Sequence, residues 1–215
     1  MDPVRLCWDG LNRLVAALAL VALSPLIVVI AAWIRIADGS GILFIQDRAG
    51  RHGVPFRMWK FRTMVHNAVG LSAQLGISDP FGLIEDDPRI TRCGRFLRRT
   101  SLDELPQLVN VVRGQMSLVG PRPDVLPQVA NYSDADRRRL AVKPGITGWA
   151  QVNGRDDIDW PQRFRLDAWY VDNWSPALDL RILWRTFATL RRDEVPVHVD
   201  QLNIQRAARD AGRAA

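Results

Sequence analysis

The chain is organised around residues 98–108, which read Arg98-Arg99-Thr100-Ser101-Leu102-Asp103-Glu104-Leu105-Pro106-Gln107-Leu108. Asp103 and Glu104 are adjacent carboxylates, and apolar residues follow at the i, i+3, i+4, i+7 spacing of one helix face. Ser101 lies three residues before Glu104, as in a capping box. If Asp103 is the N-cap instead, Pro106 falls in the first turn, where its missing N–H needs no partner. Either start predicts both carboxylates in a first helical turn, ionised by the helix dipole.

The charges around this pair of carboxylates help to decide whether it is an ordinary first helical turn or part of a binding site. Acidic residues are common in first helical turns, so the pair alone does not indicate a site. Five arginines lie close by in the chain: Arg89, Arg92, Arg95, Arg98 and Arg99. Such a cluster suits a phosphorylated substrate, because guanidinium groups bind phosphate through paired hydrogen bonds.

The composition limits the class of protein. A chain of 215 residues forms one domain or slightly more, and 47% apolar with 24% charged residues is typical of a globular protein. The net charge of +6 predicts an anionic partner: nucleic acid, a phosphate-rich substrate or an anionic membrane surface. Cys7 and Cys93 lie far apart, which argues against a disulfide framework or zinc site and suits a reducing compartment.

A run of 21 residues without a charge, 14–34, predicts a membrane segment. As a helix it would extend about 31 Å, close to the thickness of a bilayer core. A buried core helix is the alternative. A cleaved signal peptide is disfavoured, because the run exceeds a usual signal core and no convincing cleavage site precedes the basic segment.

Ser24 and Pro25 near the middle of this run predict a break or kink, since Pro25 cannot donate to the carbonyl of Val21. The two arms, 14–23 and 26–34, would each extend about 14–15 Å and reach only the bilayer midplane. Arginines flank both ends, at positions 5, 13, 35, 48 and 51. Basic flanks favour the cytoplasmic side, so we predict a re-entrant helix, with a kinked spanning helix as the alternative.

Residues 42–45 and 56–59, separated by a Gly-rich turn, predict a β-hairpin. Lys60 and Arg62 follow the second strand and are either solvated edge charges or phosphate ligands. Residues 67–88 are rich in Gly, Ser and Asp and predict either a lid or an inert loop.

Two further segments carry arginines on rigid or glycine-rich backbone. In VGPRP, residues 119–123, two prolines restrict Arg122 to an extended conformation. In KPGITGWAQVNGR, residues 143–155, a loop with three glycines ends in Arg155. Such loops place backbone donors and a terminal arginine around a ligand.

KFRTM (60–64), RRTSLDELPQL, VGPRP and KPGITGWAQVNGR follow one hydrophobic segment in this order. The set resembles the bacterial sugar transferase family, the monotopic phosphoglycosyl transferases, from about Arg5 to Leu190. Larger relatives carry extra N-terminal membrane helices and a further domain, so the chain resembles the minimal catalytic form.

The resemblance implies that a sugar-1-phosphate passes from a nucleotide sugar, with UDP the expected nucleotide, to a membrane polyprenol phosphate, releasing UMP. It assigns Asp103 as the nucleophile of an aspartyl-phosphosugar intermediate, with Asp103 and Glu104 holding Mg²⁺. The expected substrate-binding residues are Lys60, Arg62, Arg98, Arg122, Arg155 and, as an auxiliary contact to the nucleotide or an arginine, Asp179. The domain would face the cytoplasm at the inner membrane, in contact with membrane lipids, and a homodimer is compatible with this reading.

These patterns predict an α+β fold that is mainly helical. Residues 1–37 are expected to form the re-entrant helix and residues 196–215 a C-terminal tail. The intervening catalytic domain, 38–195, would hold a small β-hairpin and two amphipathic interfacial helices, over 160–174 and 178–190.

Two other functions remain open at this stage. A membrane-tethered, metal-dependent phosphohydrolase could use the same carboxylates. A basic nucleic-acid-binding protein is disfavoured, because the chain has no recognition-helix, zinc or RNA-motif signature and its basic residues are spread over loops. We therefore expect no nucleic-acid partner.

Overall fold

The computed structural model describes residues 3–74, 87–154 and 158–190. Its helices are α1 (Pro3–Ala37), α2 (Ala68–Gln74), α3 (Arg92–Arg99), α4 (Gln107–Val112), α5 (Leu126–Ala130), α6 (Asp134–Arg137), α7 (Trp149–Asn153), α8 (Trp160–Asp172) and α9 (Pro176–Leu190). Its strands are β1 (Leu43–Ala49), β2 (Pro55–Phe61), β3 (Ser117–Val119) and β4 (Gly145–Thr147). The mainly helical fold with a small antiparallel hairpin is the one predicted.

Helix α1 runs through Pro25 without interruption, so the predicted division into two helical arms is not present. The reason lies in the preceding residue. Pro25 lacks the N–H that would bond to the carbonyl of Val21, four residues earlier. The hydroxyl of Ser24 donates to that carbonyl at 2.7 Å and so replaces the missing bond. With this hydrogen bond in place the helix continues through Pro25.

One face of α1 packs along the rest of the protein on both sides of Pro25. Ala16 is buried against a cluster that includes Met58 and Val111, and Ile34 against one that includes Leu97. The opposite face exposes large apolar side chains: Leu14, Val15, Leu18, Val21, Val28 and Val29. By length and composition α1 is able to cross a membrane. An apolar helix with one packed and one exposed face fits membrane association.

Strands β1 and β2 form the predicted hairpin, paired antiparallel from Leu43 opposite Phe61 to Ala49 opposite Pro55. The strands extend beyond the predicted ranges, and β2 contains Lys60. The turn has His52 and Gly53 at positive φ, where glycine is unstrained.

The carboxylate stretch differs from its predicted form. Ser101 has φ 55 and makes no capping hydrogen bond with its side chain, so the capping box is wrong. Helix α3 ends at Arg99 with Thr100 as its C-cap, and Ser101, the next residue, takes the left-handed conformation common after a helix rather than the extended one that an N-cap needs. Asp103 and Glu104 lie in a 3₁₀ turn, Leu102–Glu104. Helix α4 begins only at Gln107, with Pro106 as its N-cap.

Strands β3 and β4 pair in parallel, with Ser117 opposite Gly145 and Val119 opposite Thr147. The ladder joins the VGPRP and KPGITG motifs. A Cβ on Gly145 would lie 2.1 Å from the backbone nitrogen of Gly120, so only glycine allows this approach.

Both C-terminal segments predicted to be helical form helices, α8 and α9. Asp159 caps α8 by accepting from the backbone N–H of Gln162 at 2.7 Å. Helix α9 exposes Leu180, Trp184 and Phe187 at i, i+4, i+7 spacing. The interfacial role of these helices stays a prediction, as does the domain division. Residues 196–215 and most of the suggested lid lie outside the described residues.

Candidate functional site

The two carboxylates lie between the end of β2 and the segment that follows β3. Glu104 Oε1 accepts a hydrogen bond from Lys60 Nζ at 2.8 Å. The same oxygen lies 2.8 Å from Arg122 Nη1. Lys60 Nζ is also 3.8 Å from Asp103 Oδ2. We call these four side chains the Glu104 cluster. It unites three of the four motifs.

A buried asparagine holds the carboxylate turn against the hairpin. Asn110 on α4 is fully buried. Its Oδ1 accepts from the backbone N–H of Trp59 at 3.1 Å, and its Nδ2 donates to the carbonyl of Arg57 at 2.7 Å. These bonds fix α4 to the strand that carries Lys60. The turn before α4 therefore presents its carboxylates to Lys60.

Glu104 is ionised by its cationic neighbours. Burial alone would raise the pKa of Glu104, but the charges of Arg122 and Lys60 outweigh burial and lower the pKa to about 2. The ionisation predicted for this residue is correct, but its cause is the two cations rather than a helix dipole.

The pKa of Asp103 shifts in the opposite direction to that of Glu104. Burial raises its pKa, with the charge of Glu104 adding to the rise, and the opposing effects of Lys60, Arg122 and Arg98 do not cancel it. Burial also lowers the pKa of Lys60, against the attraction of Glu104. One strongly ionised carboxylate thus lies beside a more basic one, a contrast typical of sites that use two carboxylates in different roles.

Arg98 approaches the cluster from α3. Its Nε donates to Thr63 Oγ1 at 2.9 Å, and its charge acts on Asp103. Its Nη1 is buried without a hydrogen-bond partner among the described residues. A buried, unpaired guanidinium nitrogen is costly unless a ligand satisfies it, which suits the predicted phosphate contact.

Arg62 and Asp179 make contacts within the protein, and their predicted roles in substrate binding stay predictions. Arg62 is buried, and its guanidinium donates to the carbonyls of Asp38, at 2.8 Å, and Ser40, which fixes the chain after α1. Arg62 lies one residue beyond the end of β2, so strand alternation does not set its direction, and its side chain points towards this junction.

Asp179 accepts hydrogen bonds from three aromatic side chains: Trp8 at 2.7 Å, Tyr170 at 2.7 Å and Trp174 at 3.3 Å. This buried carboxylate joins the start of α1 to α8 and α9. A packing role explains it better than the predicted contact to a site arginine. Arg155 lies outside the described residues.

Arg48 lies near the cluster, although sequence reasoning treated it only as a flanking charge. Its Nη1 donates to the carbonyl of Pro123 at 3.2 Å and its Nη2 to Gln46 Oε1 at 2.7 Å. Burial and, after it, the charge of Arg122 lower the pKa of Arg48 to about 10, although the charges of Asp124 and Glu104 oppose the change. The hairpin register would have indicated this position. Arg48 pairs with Phe56, which lies four residues before Lys60 on β2, so Arg48 and Lys60 lie on the same face of the hairpin.

A second group of charges lies behind Arg122. Arg139 Nη1 donates to the carboxylate of Asp124 and to Tyr132 Oη, the latter at 2.6 Å. Arg139 Nη2 lies 2.7 Å from Asp167 Oδ2. The Tyr132 hydroxyl donates to Asp124. We call these four side chains the Arg139 cluster. No sequence motif pointed to it.

The chemistry of the two site carboxylates fits Mg²⁺. In proteins Mg²⁺ binds one or two ionised carboxylates and completes its ligand set with water and substrate phosphates. Glu104 is ionised and Asp103 is its neighbour. Within residues 3–74, 87–154 and 158–190, no group of three or more His, Cys, Asp or Glu side chains could hold a metal. The pair therefore matches a metal shared with a phosphorylated substrate.

Comparison with known proteins identifies the family. The model of the bacterial sugar transferase family matches residues 5–193. The chain is similar to the uncharacterised sugar transferase EpsL of Bacillus subtilis, at 44% identity over 93% of each chain. It is similar to the undecaprenyl-phosphate galactose phosphotransferase of Salmonella typhimurium, at 45% identity over 81% of this chain but 38% of that protein.

A third relative is the UDP-glucose:undecaprenyl-phosphate glucose-1-phosphate transferase of Escherichia coli, at 38% identity over 83% of this chain and 40% of that protein. The chain thus spans about two fifths of the length of these two transferases and nearly all of the Bacillus protein. With the family model matching from α1 into the residues beyond α9, the protein belongs to the bacterial sugar transferases, enzymes of the transferase class.

Proposed function

We propose that the protein transfers a sugar-1-phosphate from a UDP-sugar to a membrane polyprenol phosphate and releases UMP. The observation that carries this proposal is the Glu104 cluster, in which a basic, buried carboxylate lies beside an ionised one among Lys60, Arg122 and Arg98. The named activities of the Salmonella and Escherichia coli relatives support it.

The reaction has two displacement steps, with Asp103 as the nucleophile. An Asp103 carboxylate oxygen forms a bond to the phosphorus that carries the sugar, and the bond from that phosphorus to the bridging oxygen breaks, so UMP leaves with the electron pair. A phosphate oxygen of the polyprenol phosphate then attacks the same phosphorus. The Asp103–phosphorus bond breaks, which regenerates the carboxylate and forms the lipid-linked diphosphosugar.

The cations supply charge stabilisation. Lys60 and Arg122 lie at Glu104 and are placed to bind phosphate oxygens, while the free nitrogen of Arg98 supplies another donor. Asp103 and Glu104 would hold Mg²⁺, which when bound neutralises charge on the diphosphate.

We infer that both ends of α1 lie on the cytoplasmic side with the catalytic domain, the topology predicted for a re-entrant segment, although α1 has no break at Pro25. Near one end, Asp9 lies 2.8 Å from Lys143 Nζ, and Trp8 donates to Asp179. At the other, Arg62 donates to the carbonyl of Asp38. Because both ends of α1 contact the same domain, both belong on one side of the inner membrane. The exposed apolar faces of α1 and α9 would then lie in lipid.

Incubation of the purified protein with Mg²⁺, polyprenyl phosphate and a panel of UDP-sugars tests the activity. We expect UMP release that requires the lipid acceptor, with one sugar preferred. Release of free sugar phosphate without the acceptor would instead indicate the phosphohydrolase. Absence of UMP with every sugar tested would contradict the proposal.

A cysteine at position 2 tests the topology. Asp2→Cys, in a background in which Cys7 and Cys93 are replaced by serine, should resist a membrane-impermeant thiol reagent added to intact cells. Permeabilised cells give the control, in which the same cysteine should react. Ready labelling from outside would show a spanning helix.

A further inference from the structure

Beyond the bond from Gly145 N to Pro121 O at 3.0 Å, the backbone after β3 is held by three further donors from other parts of the chain, on the three following carbonyls. The contacts are Arg139 Nη2 to Arg122 O at 2.8 Å, Arg48 Nη1 to Pro123 O at 3.2 Å, and Ala49 N to Asp124 O at 3.0 Å. We call these three donors the carbonyl clamp. Two of them are guanidinium groups, one from the buried Arg139 and one from the partly buried Arg48.

The side chain of Arg122 needs such support. Pro121 and Pro123 on either side have no N–H, so neither can hold the segment by donating a backbone hydrogen bond. The Arg122 side chain is 38% exposed, whereas its partner Glu104 is 14% exposed. Ordering a half-exposed arginine costs both backbone and side-chain entropy, and a backbone that is already fixed removes the first of these costs. The clamp fixes that backbone.

Both arginines of the clamp are themselves immobilised. Arg139 is held by Asp124, Asp167 and Tyr132, and its guanidinium lies over the ring of Phe164 at 4.9 Å. Arg48 is held through Gln46 on the same strand. The clamp therefore connects the hairpin and the Arg139 cluster to one short segment, the backbone of residues 122–124.

We propose that Arg48 and Arg139 are positioning residues that set the place of the Arg122 guanidinium at Glu104. The inference rests on the proposed function, in which Arg122 binds substrate phosphate. Arg48 approaches from β1 and Arg139 from the 3₁₀ turn Arg138–Ala141, so loss of either contact allows the carbonyls to shift. The phosphate-binding nitrogen then shifts with them.

A double-mutant cycle separates positioning from general structural support. Arg48→Gln and Arg139→Lys are each made alone and together with Arg122→Ala in the full chain, reconstituted in nanodiscs. Arg139→Lys keeps the charge between Asp124 and Asp167, but one ammonium cannot reproduce the guanidinium fork. Because a displacement of about 1 Å can cost on the order of 100-fold, we expect each single change to lower kcat/KM for UMP release by about 10- to 100-fold.

In the Arg122→Ala background, the same changes should lower kcat/KM by less than about threefold, because the residue through which they act is gone. Arg138→Gln is the matched control. Arg138 adjoins Arg139 but pairs with Asp172 at the surface, so its loss should change kcat/KM by less than about twofold. Equal losses with and without Arg122 would overturn the proposal.

NMR of the Arg122 side chain tests the carbonyl clamp without enzyme turnover, even if no UDP-sugar is a substrate. The ¹⁵Nε resonance of Arg122, assigned by its disappearance in Arg122→Lys, should report an ordered side chain in the native protein. Arg48→Gln and Arg139→Lys should reduce its heteronuclear NOE, while Arg138→Gln should not. An unchanged Arg122 signal in both clamp variants would overturn the inference. Failure of UMP release in the native protein would instead contradict the proposed function.

Discussion

The Glu104 cluster and the Arg139 cluster contain similar groups in different surroundings. In the Arg139 cluster, two carboxylates share one guanidinium, and the charged side chains are 2–6% exposed. In the Glu104 cluster, two carboxylates face Lys60 and Arg122, and the side chains are 10–38% exposed. The first is closed to a ligand, whereas the second offers accessible cations. A candidate site differs from a structural network in having solvent-accessible cationic side chains, whereas buried charge is present in both.

The largest effect is expected from Asp103→Asn. The change keeps the size of the side chain and removes the attacking oxygen's charge, so transfer should fall by about 10³-fold or more. Trapped sugar-phosphate adducts of the native protein should map to Asp103 by mass spectrometry. An adduct on another residue, or near-normal turnover of the Asn variant, would contradict the assignment.

The same variant should not be less stable. The pKa of Asp103 is raised in the folded protein, so its contribution to stability is fully present below the unfolded pKa and is lost as the pH rises through the folded pKa. At neutral pH the ionised group opposes folding. Asn removes that cost, and thermal unfolding should occur at the same or a higher temperature.

Arg139→Met should have the opposite profile, with a large loss of stability. It leaves Asp124 and Asp167 buried without their cation, which typically costs about 3–5 kcal/mol. Chemical denaturation of the detergent-solubilised protein measures the loss. Arg138→Met provides the comparison, since its exposed pair with Asp172 should contribute about 0–1 kcal/mol. Equal losses would mean that the Arg139 cluster is not a structural network.

Glu104→Gln tests the ionised member of the site. Loss of the charge that holds Lys60 and Arg122 should lower turnover by well over about tenfold, as should removal of Mg²⁺ by EDTA. If EDTA leaves UMP release unchanged, the metal part of the proposal fails. Asp172→Asn, at an exposed ion pair, is the control.

Glu104 also predicts a pH dependence of stability. Its folded pKa of about 2 is below the usual value, so its stabilising contribution is present above pH about 4.5 and is lost as the pH falls towards 2. Unfolding temperatures between pH 5 and 3 should therefore fall less steeply in Glu104→Gln than in the native protein.

Much of the fold could be predicted from the sequence, because its signals are local. The uncharged run predicted α1, and two apolar segments around a Gly-rich turn predicted the hairpin. The helical spacing of apolar residues predicted α8 and α9. The continuity of α1 was missed because it depends on one hydroxyl bond, from Ser24 to Val21. The positive φ of Ser101 was missed because it follows from where α3 ends.

The residues of the candidate site could be predicted only in part, because motifs are local but side-chain directions are not. Asp103, Glu104, Lys60 and Arg122 were found because each belongs to a motif. Arg62 also belongs to one, yet it serves the junction after α1, and Arg48, in none, lies near Glu104. The direction of an arginine side chain depends on strand register and tertiary packing, which residue type does not reveal.

The smallest effect, from Tyr132→Phe, sharpens the comparison between the clusters. The change removes a hydroxyl that donates to Asp124 and accepts from Arg139, but both ion pairs of Arg139 remain. The phenyl ring keeps its edge-to-face contact with Phe164, whose centroid lies 5.1 Å away. Stability should fall by about 1–3 kcal/mol, the usual cost of leaving a buried hydrogen-bonding partner unsatisfied. Because Arg139 still donates to the carbonyl of Arg122, UMP release should stay within about threefold of the native rate. A loss of activity as large as that of Arg139→Lys would mean that the whole Arg139 cluster, rather than its contact with Arg122, sets the geometry of the site.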